Sequence, residues 1–294
     1  MGGITIDLIL LQLVAGISVG AVLVLLALGL SLIFGMLTVV NFAHGAFFMI
    51  GAYCGVFLFG LTHNFWISLV LVPLVMGAVG LICERWLIRP LYGRGIDYPL
   101  LLTFGLSYVL IELVRIQFGR EGIPFPTPES LQGAADLGFG YFPKYRLFLI
   151  AATAVIVAAI WLFVEKTRYG LIIRAGARDP EIVRILGIDV ARVWLAVFGL
   201  GTALAGLAGI LIAPMQAVTP EMGIPILAEA FVVTVVGGMG SLTGAVLAGL
   251  LIGIVVGAAS LFFPAFAQMS IYVVMALVLL WRPQGLFGGK GLMS

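Results

Sequence analysis

Four apolar runs, Leu8 to Phe34, Trp66 to Leu87, Tyr98 to Phe118 and Leu147 to Val164, have about the length of roughly 20 residues that a helix needs to cross a bilayer. Backbone amides in hydrocarbon must find partners within their own segment, so such runs dictate helices. With 63% of its 294 residues hydrophobic and 10% charged, the chain also lacks the polar surface to coat a soluble globule. The expected fold is all-α: a polytopic helical bundle forming a single transmembrane domain over 1–294. Glycine suits backbone-to-backbone packing of such helices, and Gly16 with Gly20, and Gly249, Gly253 and Gly257, recur at the four-residue spacing of a contact stripe. Cys54 and Cys83 sit in apolar runs without metal-ligand or disulfide spacing, so they read as structural thiols.

Other segments are less regular. The run from Gly35 to Gly60 is interrupted by Asn41 and His44 beside Gly45, which predicts a discontinuous or re-entrant element. Trp194 to Ala213 crosses again, Pro214 to Gly223 turns, and Pro225 to Trp281 holds about three apolar segments, divided near Gly237 to Ser241 and at Pro264. The total is about eight to nine spans. Eleven of the fifteen Lys and Arg fall on one side: Arg85, Arg89, Arg94, six between Lys166 and Arg192, and Arg282 with Lys290. By the positive-inside rule that side, including the carboxyl terminus, is cytoplasmic, and the polar loop 119–146 faces out.

Charge concentrates in the loop 165–193. Within it Asp179 is placed to cap a short helix, Pro180 suits its first position, Glu181 favours the positive end of its dipole and Gly187 stops it. Ile182, Ile185 and Leu186 then share one face. From the residues alone, that face either folds back on the underside of the bundle or plugs into a separate soluble protein.

The run Glu181-Ile182-Val183-Arg184-Ile185-Leu186-Gly187 resembles the cytoplasmic loop of ABC importer permeases, with Ile182 and Val183 where two alanines are common. The longer stretch Arg174 to Asp189, Gly29 to Gly35 leading into Val40-Asn-Phe-Ala-His-Gly45, and Gly237 to Gly244 are similar to the LivH-type permeases of branched-chain amino acid importers, in the same order over most of the chain. The resemblance implies a permease subunit in a bacterial or archaeal inner membrane. Its implied partners are a second permease, identical or related, two cytoplasmic ATPases carrying the ATP and Mg, and an extracytoplasmic binding protein. It assigns ATPase coupling to Arg174, Arg178, Asp179, Pro180, Glu181, Ile182, Ile185, Leu186 and Gly187. Urea or other amides are cargo of close relatives.

The chain carries no phosphate-binding loop of its own, since Gln284 stands where a glycine would precede Gly289-Lys290, and it has neither an HExxH nor a GxSxG frame. It therefore reads as a transporter and not an enzyme, with no metal or cofactor of its own. Candidates for a polar route are Asn41 and His44, three apart, with Thr38, Thr103, Ser107 and Glu229. Each has a plain alternative: an interhelical hydrogen bond for Asn41, His44 and Glu229, and a bond to its own backbone for each hydroxyl. Glu229 equally suits a proton or cation site, which would make the chain an autonomous ion-coupled carrier. On the outer loop Arg120, Glu121, Glu129, Lys144 and Arg146 form a mixed rim, suited to docking a soluble binding protein or simply to solvation.

Overall fold

The computed structural model describes residues 5–37 and 39–288, so Thr38 and Lys290 lie outside the described residues. In chain order its helices are α1 (Ile6–Leu37), α2 (His44–Thr62), α3 (Phe65–Cys83), α4 (Asp97–Phe118), α5 (Lys144–Lys166), α6 (Arg168–Arg178), α7 (Pro180–Ile185), α8 (Val190–Ile212), α9 (Gly223–Gly237), α10 (Leu242–Phe262) and α11 (Met269–Trp281). Seven are long and apolar enough to cross a membrane, counting the extension of α3 to Leu91 and of α8 to Met215, while α9 and α11 are shorter. The three apolar segments expected after Pro225 are therefore present. Only the middle one has full crossing length.

Helix α1 is the axis of the bundle. Its 32 residues rise about 48 Å against a hydrocarbon layer of about 30 Å, and from Gly20 to Ile33 every residue is buried. It runs beside α10 with almost no side chains between them: a Cβ on Gly20 would sit 2.8 Å from the Gly249 carbonyl oxygen, and one on Gly257 2.7 Å from that of Gln12. The spacing read from the sequence is thus a backbone contact. Lipid is as apolar as the helices, so close van der Waals packing must supply what hydrophobic burial supplies in water.

Contacts at the helix ends divide the chain into two faces. Leu11 packs on Gly140, which puts the start of α1 with the loop 119–143. Met36 packs on Gly176, Gly35 on Gly240, and the Phe287 amide donates to the Gly237 carbonyl, so α6, the turn 238–241 and the last described residues share the opposite, basic face. The first and last described residues lie on opposite faces.

Two features go beyond the sequence expectation. In the loop after α4, β1 (Ala134–Asp136) pairs with β2 (Tyr141–Pro143), Ala135 opposite Phe142. Asp136 Oδ1 accepts from the Gly138 amide and closes the turn. The loop 165–193 likewise holds two helices. Thr167 caps α6 by accepting from the Gly170 amide, and Arg174 ties it back to α5 through the Val164 carbonyl and Glu165.

At the basic end of α3 a π-turn, Glu84–Ile88, buries the Glu84 carboxylate. Arg89 donates to both of its oxygens at 3.2 and 3.0 Å, Tyr92 Oη donates to it at 3.0 Å, and the same guanidinium reaches the Ala191 carbonyl at 3.0 Å. This cluster fastens α3 to the start of α8. Replacing Glu84 with Ala is expected to destabilise the fold by about 3 kcal/mol, because Arg89 loses its counter-charge in a mostly buried place. A lower thermal midpoint in detergent, with Glu84→Gln intermediate, checks this.

Candidate functional site

The short helix α7 forms as its punctuation predicts. Asp179 accepts from the amides of Glu181 and Ile182, both at 3.0 Å, and Pro180 needs no amide partner in the first turn. At the other end Gly187 takes φ +81°, while its amide bonds to the Arg184 carbonyl and that of Ile188 to Val183. That pair of bonds is a Schellman stop, in which glycine avoids the Cβ strain of a left-handed backbone. The residue turned towards the bundle is Val183, 3% exposed. Ile185 is 83% and Leu186 72% exposed, and Ile182 is exposed as well, so among the described residues nothing covers the apolar face. Of the two arginines assigned here, Arg178 is exposed and Arg174 is occupied with Val164 and Glu165.

A second constellation lies deeper. Helix α1 ends at Leu37, yet His44, which starts α2, has Nε2 3.1 Å from the Leu26 carbonyl, eleven residues and about 16 Å back along α1. Residues 39–43 therefore climb back into the bundle outside any helix, with a turn bond from the His44 amide to the Asn41 carbonyl. Their polar groups are met by side chains: the Phe42 amide donates to Thr103 Oγ1 at 3.2 Å and the Ala43 amide to Asn41 Oδ1 at 3.0 Å, an Asx turn. Broken backbone is tolerated at this depth where such partners exist. His44 is fully buried, and because a carbonyl only accepts, the proton sits on Nε2.

A similar return follows α8. Val218 pairs with Ile123 and accepts from Tyr53 Oη at 3.3 Å, and α9 then begins at Gly223, in backbone contact with Gly45 at the start of α2. Arg115 brackets this return, bonding Glu221 at 2.7 Å and Glu112 at 2.8 Å. The hydrogen bond from Arg115 holds the Glu221 carboxyl below its usual range, so the pair persists as pH falls until that lowered value is crossed. Two helices of opposite direction thus start against one another inside the bundle.

The structure brings Asn41, His44, Thr103 and Ser107 to this place and puts Glu229 elsewhere. Asn41 and Ser107 line one cavity, while the Ser107 hydroxyl donates to the Phe104 carbonyl at 2.6 Å. Glu229 lies in a different cavity of about 540 Å³, also lined by Ser18, and accepts from Gln268 at 2.8 Å. Thr38 is outside the described residues. Neither Gln268 nor Ser18 was legible as a site residue, because polar amides and hydroxyls carry no spacing signal. On the opposite face Arg120, Glu121, Glu129 and Lys144 are exposed and Arg146 is half-buried, spread along the loop and the start of α5. Among the described residues no group of three His, Cys, Asp or Glu is placed to hold a metal ion.

Comparison with known proteins finds related chains. Residues 12–281 match the family described as branched-chain amino acid transport system / permease component. The chain is 31% identical to the high-affinity branched-chain amino acid transport system permease protein BraD of Pseudomonas aeruginosa, over 94% of this chain and 95% of the relative. It is 32% identical to the probable permease LivH of Methanocaldococcus jannaschii, over 90% and 88%. It is 30% identical to the permease LivM of Salmonella typhimurium, over 90% and 67%. No solved structure matches the chain.

Proposed function

Because the chain belongs to the family of branched-chain amino acid transport system permease components, we propose that it is one membrane half of an ATP-driven importer for leucine, isoleucine and valine. A second permease of the same or a related kind completes the route, a relation supported by the likeness to both LivH and LivM relatives. A soluble binding protein delivers cargo to the face carrying Arg120, Glu121, Glu129, Lys144 and Arg146. Two ATPases, holding the ATP and Mg, dock on the basic face, which is cytoplasmic in an inner membrane and carries the carboxyl terminus.

The observation that supports this reading is the uncovered apolar face of α7. A helix that packs inward through Val183 and outward with Ile182, Ile185 and Leu186 is built to be gripped from outside the chain. Closure of the ATPase pair would displace α7, and through α6 and the start of α8 move the spans that meet at Gly45 and Gly223. Proteoliposomes decide the matter. The full assembly is expected to concentrate leucine only with ATP, and this chain alone to concentrate none under a proton or sodium gradient. Uptake by the isolated chain on an ion gradient would instead make Glu229 and Gln268 the centre of an ion-coupled carrier.

A further inference from the structure

Among α2, α4, α9 and α11 lies a cavity of about 440 Å³ whose lining is largely apolar, with Ile111, Leu227, Phe231 and Met275 prominent. Asn41 is its polar exception at depth. The side chain is 1% exposed, its Oδ1 is used on the Ala43 amide, and its Nδ2 has no hydrogen-bond partner among the described residues. A buried donor left unpaired costs on the order of 1–3 kcal/mol, a cost that an acceptor entering the cavity beside Asn41 would relieve.

The neighbouring backbone points to the charge of that acceptor. The Gly45 and Ala46 amides precede the first helical bond of α2, Phe47 to Ala43, and Ala46 lines the cavity. Gly223, which opens α9, lines it too. Helix starts carry partial positive charge, and two of them converge here beside an unpaired amide donor, with the amides supplied by α2 because Ile224 donates to the Glu221 carbonyl and Pro225 has no N–H. No acidic side chain is among the described residues that line the cavity. One end suits an anion and the rest suits hydrocarbon.

We infer that this cavity is a station for an α-amino acid with a branched aliphatic side chain, its carboxylate taken by Asn41 Nδ2 and the first amides of α2, its side chain by Ile111, Leu227 and Phe231. Tyr108 and Tyr272, both partly exposed, line the same cavity, and aromatic rings accommodate the ammonium. The inference rests on the transport reading above, and its test keeps the two apart.

The test uses the full assembly in proteoliposomes, with Cys54→Ala and Cys83→Ser removing the native free thiols and Ser107→Cys as the reporter. Its reaction with a small methanethiosulfonate is timed with L-leucine and with leucinol, which keeps the side chain and ammonium but lacks the carboxylate. Leucine is expected to protect at about tenfold lower concentration than leucinol, the ratio for one charge-assisted hydrogen bond. Asn41→Asp still accepts from the Ala43 amide but repels a carboxylate, and is expected to abolish leucine's advantage. Met275→Cys gives the same measurement from a different helix should Ser107→Cys not assemble. An assembly that imports leucine while the two compounds protect equally, or not at all, overturns the station and leaves the transporter standing. Carboxylate-dependent protection without import upholds the station against the ATP-driven reading.

Discussion

Replacing Ile185 with Asp is expected to leave the bundle folded and, on the coupling role proposed for α7, to strip it of the partner ATPases: purified from detergent, the variant elutes as the membrane part alone, with ATP-dependent leucine uptake lost. The fold survives because the side chain is 83% exposed and lies outside the buried core. Binding does not, because an apolar anchor at the centre of an interface contributes on the order of 2 kcal/mol or more, about a thirtyfold change in affinity, and a carboxylate in its place adds a desolvation cost. Leu186→Asp behaves alike. Val183→Asp is the instructive contrast: this residue is buried against the bundle, so its variant loses yield and thermal stability before docking can be asked about. An Ile185→Asp assembly that copurifies whole and still transports would remove α7 from the coupling path.

Gly253→Leu is expected to have the largest effect on the fold itself. A Cβ at this position would overlap the backbone of Gly16 and of Gly20, the glycines of α1 that face α10. Neither obstacle is the end of a flexible side chain, so the helices must separate, and van der Waals packing over a length of α1 is lost with them. The cost is about 3 kcal/mol or more, large against the marginal stability of most folded chains. The readouts are a broadened size-exclusion profile and a reduced thermal midpoint. Gly60→Ala serves as control, since nothing lies within 4 Å of a Cβ there and little change is expected. Equal behaviour of the two variants would contradict the backbone contact between α1 and α10.

Much of the local structure could be read from residue order because its causes are local. Asp179, Pro180 and Gly187 fix the ends of α7 through bonds to amides two to five residues away. The glycine spacings in α1 and α10 announce where helices approach. Asn41 and His44 mark the break before α2, since polar residues inside an apolar run require partners. Helix α6 escaped notice although it is strongly amphipathic: its start is capped by Thr167, but its buried side carries Gly170 and Gly176 with Ile173, and glycine inside a helix argues against one.

Apolar run length, basic-residue asymmetry and cap chemistry are properties of the chain itself, and they determined a helical membrane protein, its two-sided charge and the existence of α7. Which face of α7 stays uncovered, that Glu229 pairs with Gln268 away from Asn41, that Arg89 reaches the Ala191 carbonyl, and that two helix starts meet at Gly45 and Gly223 were decided only by the tertiary structure. Each depends on residues far apart in order being brought within hydrogen-bond or van der Waals reach. In a bundle whose helices are apolar on nearly every side, no periodicity says which sides will meet.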